Sequence, residues 1–203
     1  MTASAQSFTG GFSAPVFDSQ ATFRAVLDAL ARPGMIVPLA ARTHPPKPLP
    51  PLAADILCAL ADQDTPVLFS AAPGGSTVVA DWLRFQTGAP VTNDAGAASF
   101  AVAADLKHLP ALSQFPQGTP EYPDRSTTII VPLSSLTGGD PVTLSGPGIK
   151  GTRTFAPKGL SAGFWEQAAA NHAQYPRGVD LIFVSAIAIA ALPRSTTIGK
   201  GEA

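Results

Sequence analysis

The stretch from Leu181 to Leu192 is the longest apolar run of the chain, and Ser185 interrupts it. A membrane-crossing helix needs about 20 apolar residues. The run is too short for that and reads as two core strands, Val179 to Val184 and Ile187 to Leu192, close enough in sequence to lie antiparallel. Between them, Ser185-Ala186-Ile187-Ala188 lacks the Gly or Asn of a tight hairpin, which leaves the turn type open.

Upstream, helical and extended patterns alternate. Phe23, Val26, Leu27 and Leu30 recur at helical spacing after the capping candidates Asp18 and Ser19, until Arg32-Pro33-Gly34 stops the run. The proline-loaded passage from Thr43 to Pro51 forbids helix. It leads into a second helix with the stripe Leu52, Ile56, Leu57 and Leu60, ending near Asp62. Val67 to Ser70 reads as a buried strand, and Ser76 as the cap of a short helix carrying Val79, Trp82 and Leu83. Ser99 to Ala103, Thr127 to Val131 and Val142 to Ser145 read as further strands, and Phe164 to His172 as a helix. Such alternation predicts an α/β fold, a three-layer sandwich with a mixed sheet. Residues 1–14 read as a flexible N-terminal arm with no export signal, 15–197 as a single α/β domain and 198–203 as a C-terminal tail.

Only 13% of the residues are charged while 45% are hydrophobic, and the formal net charge is -1. Soluble proteins average roughly 25% charge. The deficit predicts apolar surface buried against another subunit, with a homodimer for the isolated chain. It also argues against nucleic acid and anionic membranes, which are bound through clustered Lys and Arg. The single cysteine, Cys58, excludes an internal disulfide and fits a reducing cytoplasm. It reads as a small buried hydrophobe.

No segment is a complete catalytic motif. Asp62-Gln63-Asp64 resembles an aspartate nucleophile motif, but it precedes its strand instead of following one. It therefore reads as turn chemistry, with Asp64 bracing the strand entrance. Gly74-Gly75-Ser76-Thr77 and Ser145-Gly146-Pro147-Gly148 could offer backbone N–H groups to an anion, yet neither is a nucleotide-binding fingerprint. His44, His108 and His172 show no metal-ligand spacing, so no metal is expected. Among the arginines, Arg24, Arg84 and Arg194 suit either a bidentate phosphate or phosphonate clamp or structural pairing.

Several segments, taken together and in order, resemble one family. They include Phe23-Arg24 with Leu27 and Arg32-Pro33-Gly34, then Leu60-Ala61-Asp62-Gln63-Asp64-Thr65-Pro66-Val67. Leu83-Arg84-Phe85-Gln86-Thr87-Gly88-Ala89-Pro90 and Gly118-Thr119-Pro120-Glu121 follow. Leu144 to Ile149, Tyr175 to Ile182 and Leu192-Pro193-Arg194-Ser195-Thr196 complete the set. Across roughly residues 15 to 197, the chain is similar to the H subunit of the bacterial carbon-phosphorus lyase core complex. Gln86 departs from the pattern, standing where some relatives carry histidine, and this argues against acid-base work there.

The resemblance implies a fold similar to the large domain of pyridoxal-phosphate-dependent transferases, but without the cofactor. Lys47, Lys107, Lys150, Lys158 and Lys200 lie in loops, a short polar stretch or the tail, not in a pocket suited to a Schiff base. It further implies a role in phosphonate catabolism, where the ribose triphosphate of ATP passes to an alkylphosphonate with release of adenine. The partners implied are the other core subunits. Two readings follow: a noncatalytic scaffold or substrate-presenting subunit, or an enzyme component with its own cleft for the phosphonate or the ATP-derived triphosphate. In the second, Arg84, Thr87 and Arg194 would line the site with the N–H groups around Gly146 and Gly148.

Overall fold

The computed structural model describes residues 9–70 and 76–200. The first helix, α1 (Pro15–Ala31), starts earlier than the expected caps because Pro15 occupies its first turn. There a missing N–H costs no helical hydrogen bond. Asp18 lies inside the helix and reaches back, its Oδ2 accepting from the Ala14 N–H at 2.9 Å. The helix α2 (Pro51–Leu60) opens on proline in the same way. The strands β1 (Val37–Pro38) and β2 (Val67–Ser70) flank α2 in sequence.

After α3 (Ser76–Thr87) come β3 (Val91–Thr92), β4 (Phe100–Ala103) and β5 (Thr128–Pro132). They are followed by β6 (Val142–Ser145), β7 (Arg153–Phe155) and α4 (Ala162–His172). The chain then forms β8 (Asp180–Val184), β9 (Ala188–Leu192) and β10 (Thr197–Lys200).

Seven strands form one mixed sheet in the order β1-β9-β8-β5-β4-β2-β3. The strands from β8 to β3 run parallel, whereas β9 is antiparallel to β8 and β1 to β9. The pairing of Val184 with Ile189 and of Leu181 with Leu192 confirms the antiparallel reading of the last apolar runs. Their turn closes without glycine, because the Ser185 hydroxyl accepts from the Ala188 N–H at 3.1 Å.

The sheet is buried on both faces, which is why its strands read as apolar runs. Phe69, Val102, Ile130, Ile182 and Ile189 pack on one side with Val26, Ile56, Leu57, Trp82 and Leu83 of α1, α2 and α3. Their neighbours in each strand, Leu68, Ala101, Ile129, Leu181 and Phe183, face the other way and join Leu112, Phe115 and Phe164. That second layer contains α4 and a separate three-stranded antiparallel sheet, β10-β6-β7.

Two boundaries differ from expectation. Residues Thr197 to Lys200 pair with β6, so the strand runs into the supposed tail. The last residues of the supposed arm are also tied down: the Trp82 indole donates to the Thr9 carbonyl at 2.7 Å, and the His44 N–H donates to the Gly10 carbonyl at 2.7 Å. Sequestering the indole donor allows the largest side chain of the core to be fully buried.

Candidate functional site

The five residues proposed to hold an anion fall into two separate places. Arg84 and Thr87 lie in the last turns of α3, which packs against β3 at one edge of the large sheet. Arg194 follows β9, five strand positions away from β3, or roughly 24 Å at the usual strand spacing of about 4.8 Å. They do not share a cleft.

Arg194 is committed to the protein. Its Nε lies 3.1 Å from Asp180 Oδ1 and its Nη2 2.5 Å from Oδ2, while Nη1 donates to the Pro123 carbonyl. Its backbone N–H also donates to Asp180 Oδ1, at 2.8 Å. The two side chains retain 13% and 21% of their exposure, so the pair is largely desolvated. His172, ending α4, completes the junction: Nδ1 is 3.0 Å from the Arg194 carbonyl oxygen and Nε2 is 3.1 Å from Thr197 Oγ1. Holding a phosphonate here would require the guanidinium to release its carboxylate.

Gly146 is brought beside this turn, but as a packing residue. Its φ is +123°, and a Cβ there would lie 3.0 Å from the Ser195 carbonyl oxygen. Gly148, at φ +81°, lies against the end of α1, where a Cβ would meet the Ala31 carbonyl oxygen at 2.1 Å. The Gly-Pro-Gly turn thus bridges the Arg194 turn and the α1 terminus. Arg153, which sequence reasoning passed over, secures the same terminus by donating from Nη1 to the carbonyls of Arg32 at 3.1 Å and Pro33 at 2.7 Å. A cation at a helix C-terminus complements the local dipole.

Thr87 is equally occupied: its hydroxyl donates to the Leu83 carbonyl at 2.7 Å and accepts from the Ala89 N–H at 3.0 Å, closing α3. Arg84 differs from Arg194. It is half-exposed, with a 3.3 Å contact to the half-exposed Asp81. Of the two candidate arginines, it has the more exposed side chain.

The remaining candidates resolve into local structure. Asp62, not Asp64, makes the turn before β2, its Oδ1 accepting from the Asp64 N–H and the Thr65 hydroxyl, each at 3.0 Å. Burial, followed by the charge of Asp55, pushes the Cys58 thiol up to about 12, which disfavours a thiolate nucleophile. His108 pairs with Asp105 at 2.9 Å on the surface. The Lys107 N–H and then His108 hold the Asp105 carboxyl below its ordinary range. Among the described residues, no group of three His, Cys, Asp or Glu is arranged to hold a metal. Gly74 and Gly75 of the first glycine turn lie outside the described residues. Lys47, Lys107, Lys150 and Lys158 are all exposed and do not fit the enclosed lysine that a Schiff-base cofactor requires. No described helix is long and apolar enough to cross a membrane.

The buried carboxylate missed in the sequence is Asp55. Within α2 it accepts from the Arg42 N–H at 2.9 Å, the Thr43 N–H at 2.9 Å and the Thr43 hydroxyl at 2.6 Å. It fastens the proline-rich passage to the core. An aspartate inside an otherwise apolar stripe was the signal that could have found it.

These features define an α/β domain whose Arg194 and glycine candidates chiefly join its own elements. The family model described as "Bacterial phosphonate metabolism protein (PhnH)" matches residues 10–199, and the chain belongs to that family. It is 42% identical over 200 residues, covering 98% of this chain and 100% of the relative, to "Alpha-D-ribose 1-methylphosphonate 5-triphosphate synthase subunit PhnH" of Rhizobium meliloti (strain 1021). It is 32% identical over 180 residues, covering 88% of this chain and 85% of the relative, to "Putative C-P lyase subunit protein HtxG" of Stutzerimonas stutzeri.

Proposed function

We propose that the chain is a noncatalytic subunit of a cytoplasmic carbon-phosphorus lyase system. It supports transfer of the ribose triphosphate of ATP to an alkylphosphonate, with release of adenine, before the C–P bond is cleaved. The names of both relatives support placing it in such an assembly. The observation that carries a scaffolding role is an apolar stripe on the solvent side of α1. Val16, Phe23 and Leu27 recur at helical spacing and are 78%, 49% and 54% exposed, and Phe17 beside them is 74% exposed. Their partner-facing use explains a chain with so few charges.

The fold supports this reading. Its mainly parallel sheet, covered on both faces, is compatible with a transferase-like large domain adapted to assembly without a cofactor. We further propose that isolated chains self-associate through exposed apolar surface. Direct substrate contact is best served by Arg84, whose guanidinium is half-exposed.

Co-expression with the sister subunits tests the assignment. The wild type should co-purify in stoichiometric amount, whereas Phe23→Asp/Leu27→Asp should leave the complex while retaining its circular dichroism and unfolding midpoint. A wild type that never co-purifies overturns the subunit reading, and a fully incorporated variant overturns the role of α1. Calorimetry with methylphosphonate and ATP on wild type and Arg84→Ala tests substrate contact separately. No binding, or unchanged binding in the variant, removes Arg84 from the proposal.

A further inference from the structure

A cavity of about 500 Å³ opens between α4 and the small sheet. Small-molecule sites span roughly 300–1,000 Å³. Val142, Leu160 and Ile198 supply apolar lining, and Trp165 supplies an aromatic wall. The indole is braced by edge contact with Phe155 at 6.4 Å between ring centroids and by Phe183 at 6.3 Å. The charged residues lining the cavity are both acidic, Asp140 and Glu166. Both are exposed.

We propose that this cavity binds a small organic cation bearing an alkylammonium group. An indole face attracts such cations through its quadrupole, and quaternary ammonium ligands are recognised in this way. The apolar lining accommodates the alkyl substituents, while the carboxylates neutralise the charge. A phosphonate or triphosphate would meet two like charges. The cavity therefore differs in ligand class from any anion contact at Arg84, and the two can be tested independently.

Calorimetry with choline, its uncharged carbon isostere 3,3-dimethylbutan-1-ol, methylphosphonate and Nα-acetyl-lysinamide provides the test. Choline should bind saturably, at least tenfold more tightly than the isostere or methylphosphonate. Asp140→Asn/Glu166→Gln should lose at least tenfold in choline affinity while retaining the wild-type unfolding midpoint. Trp165→Phe should weaken binding less than the double substitution. Absence of saturable choline binding in the millimolar range, equal binding of the isostere, or full affinity in the double variant overturns the proposal. Tighter binding of the lysine derivative than of choline also overturns it, assigning the cavity to a partner's lysine side chain.

Discussion

The guanidinium of Arg194 grips the carboxylate of Asp180 through two of its nitrogens, with both side chains largely withdrawn from solvent. Asp180 begins β8 and Arg194 follows β9, so the fork fastens the two strands where the chain turns toward β10. Removing one member leaves the other charge poorly solvated.

Arg194→Ala should accordingly lower unfolding free energy by about 2–4 kcal/mol, and Asp180→Asn by a similar amount. Arg194→Lys should recover only part of the loss, because an ammonium cannot reproduce the planar fork. Urea unfolding checks these values. A loss below about 1 kcal/mol for both truncations would match an exposed pair and refute the structural assignment.

Asp55→Ala should cost about 2–4 kcal/mol, since it strands the N–H groups of Arg42 and Thr43 in a buried setting. Thr43→Val removes one hydroxyl donor and should cost about 1–2 kcal/mol. The combined variant should lose less than the sum of the two, because both act on one network. A double-mutant cycle gives the coupling, and strict additivity would contradict it.

Gly148 and Gly151 separate two reasons for glycine. Both have positive φ, +81° and +73°, but a Cβ at 148 would strike the Ala31 backbone while nothing lies within 4 Å at 151. Gly151→Ala should cost about 1–2 kcal/mol from conformation alone. Gly148→Ala should cost at least about 1 kcal/mol more, from the clash. Equal unfolding midpoints would show that the α1 terminus yields freely.

Cys58 should resist alkylation at neutral pH in the folded protein and react readily in denaturant. Its thiol is pushed from 9.0 to about 12 on folding, first by burial and then by Asp55. Because the folded state retains the proton longer, this contribution to stability is present below pH 9.0 and is lost as pH rises from 9.0 to about 12. Comparing the alkaline unfolding of wild type and Cys58→Ala isolates it. A variant whose stability declines as steeply over that window would refute the linkage.

Much of the layer structure was legible. Val67 to Ser70 and Val142 to Ser145 match their strands end to end. In β6, Val142 and Leu144 are buried while Thr143 and Ser145 are not, the alternation of a strand covered on one face. In β8, Leu181 to Val184 are all buried, as expected between two layers. The one-sided burial of β6 was therefore legible in its pattern, but its place in a separate sheet was not. Nor were its partners, because β7 and β10 are short and lie beside Gly- and polar-rich segments with little periodicity of their own.

The candidate site was less legible, and the two arginines show why. Arg84 and Arg194 follow apolar segments and look equivalent along the chain, yet one is half-exposed and the other is held by Asp180 and Pro123. Pro123 lies 71 positions from Arg194, and only the order of the strands brings it within reach. The sequence by itself determined where the longer helices and strands form and which of their positions are apolar enough to fill the core, because those depend on local periodicity. Only the tertiary structure decided which charges are consumed, which glycines are packed against backbone and which carboxylates border a cavity, because each depends on groups brought together from distant parts of the chain.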